Sequence, residues 1–231
     1  MVRVNSPGYT ASMCGRFSLY TPAEVLAERF QAEPPPEGLR ATYNAAPSQA
    51  LPVIRNDDPQ HITLAVWGYL PHWAARKPTV RPQINARAET LTEKPFFREA
   101  LAQRRCLVLA DSFYEWNREG KHRTPYRILL NTEEPFAFAG IWDRIPGPQG
   151  ESLPHFAIIT TASNTLISTI HDRMPVILRK EDEPHWLDPT ASATAVLPLL
   201  QSYPATELKL YEVSPMVNSP KMDSPDLILP A

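Results

Sequence analysis

The sequence predicts a single α+β domain built around a curved antiparallel β-sheet or barrel with flanking helices. Three observations predict it. Short runs rich in β-branched and aromatic residues, Cys106–Ala110, Phe113–Trp116, Tyr126–Leu130, Phe136–Trp142 and Phe156–Thr161, recur at roughly ten-residue spacing. Helical periodicity frames them on both sides, and neither an internal repeat nor a long linker interrupts residues 14–213. With 231 residues, 43% of them hydrophobic, the chain can bury one substantial core.

The elements follow in order. Residues 1–12 carry Ser, Pro, Gly and Thr without periodicity and are expected to be a disordered extension, a mis-assigned start or a removed segment, ahead of a domain over 13–231. Thr21-Pro22-Ala23-Glu24 joins an N-cap, a proline at the first helical position and a reciprocal glutamate; with Val25, Leu26 and Phe30 at helical spacing, it predicts a helix over 22–32. Pro34-Pro35-Pro36-Glu37-Gly38 stops it. Leu51–Arg55 and Ile62–Trp67 read as strands, and Pro95–Arg105 as a helix with Phe96, Phe97, Ala100 and Leu101 on one side. Beyond the central strands come a short helix over Asn164–Ile170, a strand over Pro175–Leu178, helices over Glu181–Leu187 and Ala193–Leu200, and a last strand over Leu208–Val213.

Composition excludes several functions. Lys and Arg number 23 against 25 Asp and Glu, a net charge of −2, so any nucleic-acid contact must be a local basic groove rather than bulk attraction. There are 26 prolines, about twice the usual share of roughly 5%, and only 8 glycines, with no Gly-rich phosphate loop. Cys14 and Cys106 make no disulfide scaffold, and without a CxxC pair or a close His cluster neither a metal nor a cofactor is expected. No apolar run reaches membrane-spanning length and the N-terminus lacks a signal segment, which predicts a cytoplasmic protein with no membrane partner.

Cys14 follows Met13 directly, and a small residue in that position permits removal of an initiator methionine. Cys14 would then offer an α-amine with a reference pKa of about 8 beside a thiol near ~8.5, a 1,2-aminothiol able to trap an aldehyde as a thiazolidine. The alternative is a small buried residue on a first strand, which is the reading for Cys106. In Asp-Ser-Phe-Tyr-Glu-Trp-Asn, strand alternation puts Glu115 on the face of Phe113, away from Tyr114 and Trp116. A carboxylate among aromatics suits proton transfer; the alternative is an edge glutamate in solvent. His171, beside Asp172 and Arg173, is either an acid–base group or structural. Asn85 either orients a reacting group or caps Ala86 onward, the simpler explanation. Arg16, Arg87 and Arg173 stand near these candidates in sequence, and Pro47, Trp67, Tyr69 and Trp73 are flat surfaces for unstacked bases or else core.

Met-Cys-Gly-Arg-Phe (13–17), Tyr-Asn-Ala-Ala-Pro (43–47), Trp-Gly-Tyr-Leu-Pro (67–71), Ile-Asn-Ala-Arg-Ala-Glu-Thr (84–90), Phe-Tyr-Glu-Trp (113–116) and Ile-His-Asp-Arg-Met-Pro (170–175) together resemble the SRAP family, the SOS response-associated peptidase-like abasic-site processing proteins. The resemblance implies a β-barrel-like core with a basic channel for single-stranded DNA, and a monomer that acts near the nucleoid and the replication machinery. It implies that Cys14 is the crosslinking nucleophile, that Asn85, Glu115 and His171 complete the catalytic set, and that Arg16, Arg87, Pro47 and Trp73 bind DNA, with Arg173 a further phosphate candidate. Three departures stand out: the residues before Met13, Ala74 where some relatives carry a second tryptophan, and Pro215 where some carry arginine. Two other functions fit the same residues: a thiol peptidase or autopeptidase using Cys14, and a non-catalytic reader of damaged DNA.

Overall fold

Every residue of the strand Arg105–Ala110 is buried, because both of its faces are covered. Cys106, Val108 and Ala110 point into one apolar cluster, and Leu107 and Leu109 into another. A computed structural model describes residues 15–75, 77, 79–117, 123–146 and 152–231. Cys14 and the extension expected over 1–12 lie outside the described residues.

In chain order the elements are β1 (Phe17–Leu19), α1 (Ala23–Phe30), β2 (Thr42–Ala45), β3 (Ala50–Arg55), β4 (Asp58–Trp67), β5 (Asn85–Arg87), α2 (Pro95–Gln103) and β6 (Arg105–Ala110). Then follow β7 (Ser112–Asn117), β8 (Thr124–Leu130), β9 (Phe136–Pro146), β10 (Ser152–Ala162), β11 (Arg173–Pro175), α3 (Glu183–Leu187), α4 (Ala193–Val196) and β12 (Leu208–Glu212). Strands β4, β3, β6 and β9 pair antiparallel in that order, and β9 pairs antiparallel with β10. The circle closes where β10 meets β4 in parallel, His155 opposite Val66 and Phe156 opposite Trp67. The expected barrel is present, with one parallel seam the ten-residue spacing did not predict; no hairpin links β4 to β10, so nothing forces their directions to oppose.

The barrel interior is filled by Val53, Trp67, Val108, Phe138 and Phe156, and the second sheet, β12-β8-β7-β1-β2, adds Phe17, Phe113 and Ile128 to the same cluster. Helices cover the outside through Leu26, Phe97, Leu101 and Trp186. Gly140 on β9 sits where the barrel wall leaves no room for a side chain. A Cβ there would lie 2.8 Å from Cys106 Sγ and 2.9 Å from Val108 Cγ2. Gly140→Ala is therefore expected to destabilise the protein by about 1–3 kcal/mol, read by urea unfolding; an unchanged midpoint would show that the barrel wall yields.

Some local expectations are corrected. Thr21 does not cap α1: its hydroxyl donates to Asp111 Oδ1 at 2.7 Å, and the N–H groups of Tyr20 and Thr21 donate to Asp111 Oδ2. A carboxylate on the neighbouring strand end is a stronger acceptor than the helix turn is a donor site. The strand expected over 175–178 is β11, shifted to Arg173–Pro175 by its pairing with Thr160–Ala162. Asn85 caps no helix; it opens β5, which lies parallel to β10 with Asn85 opposite Ile158. Trp67 and Tyr69 are core rather than base-stacking surfaces, 0% and 1% exposed.

Candidate active site

Strand β7 carries the first candidate. Tyr114 packs with Val213, Val217 and Leu227, whereas Phe113 joins the barrel cluster, so alternation turns Glu115 toward the barrel side, as the sequence predicts. The Glu115 residue is 2% exposed, which removes the solvent-edge alternative. Strand β1 runs antiparallel to β7, with Phe17 opposite Phe113 and Ser18 opposite Ser112, and Tyr114 N–H donates to Arg16 O at 3.0 Å. Continuing that register brings Gly15 opposite Glu115.

The second candidate reaches the same place from the barrel. Trp67 Nε1 donates to Ile84 O at 2.9 Å, and Ile158 N–H donates to the same carbonyl at 3.0 Å, which fixes the entry to β5. A Cβ on Gly15 would lie 4.0 Å from Ile84 Cδ1. Gly15 therefore lies between the strand bearing Glu115 and the residue that precedes Asn85.

His171 follows a single 3-10 turn, and its N–H donates to Ile167 O. Its side chain is 6% exposed. The Arg173 N–H donates to His171 Nδ1 at 3.1 Å, so the neutral ring carries its proton on Nε2. Asp172 Oδ1 stands 3.2 Å from the same Nδ1. His171, Asp172, Ser168 and Asn117 line one open groove of about 470 Å³. Asn117 lies two residues beyond Glu115 on the same face of β7, so the groove joins the histidine to the carboxylate strand. Sequence reading passed over Asn117, although the period-2 step from Glu115 was there to be followed.

The three arginines part company. Arg87 is exposed on β5, opposite Thr160. Arg173 forms a two-pronged ion pair with Glu89, Nη2 to Oε2 at 2.9 Å, and also donates to Thr160 O at 2.7 Å. That guanidinium holds the Glu89 carboxyl below its usual range. Arg16 donates to Asn44 Oδ1 at 2.9 Å and to Val217 O at 2.8 Å, so its guanidinium is engaged inside the fold. Trp73 is 44% exposed, braced edge-on by Phe96, with Lys77 Nζ 5.0 Å from its ring centre. Pro47 is half-buried at the β2–β3 turn, and Ala74, beside Trp73, is buried.

The profile of the SOS response associated peptidase (SRAP) family matches residues 13–220. This chain belongs to the SRAP family. It is similar to the abasic site processing protein YoqW of Bacillus subtilis, 45% identical over 221 residues that cover 94% of this chain and 99% of that one. It is 32% identical to the mouse abasic site processing protein HMCES, over 95% of this chain and 76% of that one. A crystal structure of a protein from Bacteroides thetaiotaomicron superposes with a TM-score of 0.84 at 29% identity, covering 94% of this chain and 100% of that one. In this SRAP chain the described residues hold no group of three metal-ligating side chains and no helix long and apolar enough to cross a membrane.

Proposed function

We propose that this SRAP protein captures abasic sites in single-stranded DNA as a covalent thiazolidine on Cys14. The reading rests on one observation above all: Gly15 lies beside Ile84 and directly precedes Arg16, whose carbonyl accepts from the N–H of Tyr114, the residue before Glu115. One peptide link, about 3.8 Å from Cα to Cα, separates Gly15 from Cys14.

The chemistry follows from the side chains. In its ring-opened form an abasic site presents an aldehyde at C1′. The α-amine of Cys14 adds to that carbon and water leaves to give an imine. The thiol then adds across the C=N bond, sulfur to carbon and proton to nitrogen, closing the thiazolidine. Glu115 accepts the proton that the amine sheds. His171, with Nδ1 held by the Arg173 N–H, presents Nε2–H to the sugar oxygen during ring opening. Asn85 orients the reacting sugar, and this pre-alignment converts an encounter into a unimolecular step. Arg87 is an exposed cation for flanking phosphates, and Trp73 and Pro47 supply packing surfaces. Arg16 and Arg173 act through the fold, since their guanidinium groups are engaged by Asn44 and Glu89.

A second activity has its own motive, the residues that precede Met13 in the chain. An amide at the Cys14 nitrogen cannot form the imine, and attack of the Cys14 thiol on the preceding peptide bond, followed by hydrolysis, would release the amine. Intact mass spectrometry tests both readings. A chain beginning at Cys14, mixed with a single-stranded oligonucleotide bearing one abasic site, is expected to give a denaturation-resistant species at the summed mass less one water. A chain retaining residues 1–13 is expected to react only after cleavage before Cys14. No adduct from a chain with a verified Cys14 amine would sink the capture reading.

A further inference from the structure

The C-terminal segment after β12 does not trail away from the molecule. It crosses the outer face of the second sheet, where Val213, Val217 and Leu227 pack on Tyr114. Its middle part, residues 214–223, is tied down by one side chain more than any other in its vicinity. Asn44, on β2 and 1% exposed, donates from Nδ2 toward Val217 O at 3.3 Å, Ser219 O at 3.0 Å and Met222 O at 2.8 Å. Its Oδ1 accepts from Arg16 Nη1 at 2.9 Å. Arg16 in turn donates to Val217 O at 2.8 Å and Asn218 O at 3.4 Å. Asp223 accepts from Tyr43 N–H at 2.6 Å, and Asn218 Oδ1 from Trp116 Nε1 at 2.6 Å. The strap therefore touches β2, the residue before β1, and β7 at once.

From this geometry we infer that Asn44 is a positioning residue for the capture reaction: by bracing both the Arg16 guanidinium and the Val217 carbonyl of the strap that Arg16 meets, it fixes the peptide that leads into Cys14 against β7. This rests on the function proposed above. The physical reason is directional. Arg16 meets β7 through its backbone carbonyl and the strap through its guanidinium, and Asn44 braces that guanidinium and three strap carbonyls at once. Among the described residues the acceptors that Arg16 meets are neutral, an amide oxygen and two backbone carbonyls, so these contacts immobilise the arginine without cancelling its charge. Misplacement of a reacting group by about 1 Å can slow a step some 100-fold, so a seat of this kind acts on the covalent step rather than on DNA affinity.

Two variants and two readouts test it, on the full domain beginning at Cys14. In Asn44→Ala, the adduct-forming rate at saturating abasic oligonucleotide is expected to fall at least about tenfold, with Kd for an undamaged single strand changing less than about twofold. Hydrogen exchange supplies a measure independent of DNA: the Tyr114 amide, which donates to Arg16 O, is expected to exchange at least about tenfold faster while the Val108 amide in the barrel is unchanged. Asn44→Asp keeps an oxygen for Arg16 but turns an oxygen toward three strap carbonyls, and the same losses are expected. A wild-type rate in Asn44→Asp would overturn the role of the strap, and unchanged exchange at Tyr114 in both variants would overturn the whole inference. If Asn44→Ala fails to fold, seen as faster exchange at Val108, Asn44→Asp decides alone. If the wild-type chain forms no adduct, the proposed function fails, and the exchange comparison still determines whether Asn44 holds the strand.

Discussion

Cys14→Ser, in a chain that begins at that residue, is expected to form no denaturation-resistant thiazolidine while still giving an imine that borohydride traps. The serine keeps the α-amine, so the first bond to C1′ can form. Its hydroxyl is a far poorer nucleophile than a thiol with a pKa near ~8.5, so the ring that makes the product durable does not close. The expected loss of stable adduct is more than about a thousandfold, equivalent to over ~4 kcal/mol at the transition state. Gel electrophoresis after heating, with and without borohydride, reads both species. Equal amounts of heat-stable adduct from serine and cysteine would rule out ring closure by sulfur. Absence of a trapped imine from the serine variant would instead remove the amine from the mechanism.

Arg105→Met is expected to destabilise the protein by about 3–5 kcal/mol, because several buried backbone carbonyls lose their donor at once. Arg105 is 0% exposed and meets no carboxylate among its hydrogen-bond partners. Its guanidinium donates to backbone carbonyls: Nε to Trp186 at 2.8 Å, Nη1 to Leu101 at 2.9 Å and Ala102 at 3.0 Å, Nη2 to Asp188 at 2.5 Å and Ala191 at 3.2 Å. These are the open carbonyl ends of α2 and α3 and the turn after α3. Methionine preserves much of the volume but takes the donor from those carbonyls, of which Asp188 O keeps the Ala191 N–H at 3.1 Å, and each acceptor left unpaired costs roughly 1–3 kcal/mol before relaxation. Arg105→Lys, with a point charge and fewer donors, is expected to fall in between. Urea unfolding measures the series, and a loss below about 1 kcal/mol for methionine would mean that the carbonyls find other partners.

The fold was legible wherever a residue's neighbours in sequence are also its neighbours in space. The helix at Ala23–Phe30 and the strands from Arg105 to Ala162 satisfy local periodicity, and the structure places them within a few residues of the predicted bounds. Strands β1, β2 and β5 left no such trace. They span three or four residues each, and partners far along the chain make them strands: Phe17 needs Phe113, and Asn85 needs Ile158. The same limit applied to the site. Glu115 could be assigned its face by counting along β7, because alternation is local. The partition of Arg16, Arg87 and Arg173 could not, since Asn44, Thr160 and Glu89 decide it and nothing in the spacing announces those meetings. Thr21 is a case where a correct local rule lost to a carboxylate 90 residues away.

The bonds from Arg16 to Val217 and Asn218 join groups 201 and 202 residues apart. Translation produces Arg16 201 residues before Val217. A nascent chain can begin pairing β3 with β4 as soon as both have left the ribosome, yet the clasp beside Gly15 has no second half until Val217 and Asn218 emerge. At a synthesis rate of roughly 5–20 residues per second, that interval is on the order of 10–40 s. Arg16 thus waits for a segment made long after it before its side chain is held, and closure of this clasp is a late step in assembly.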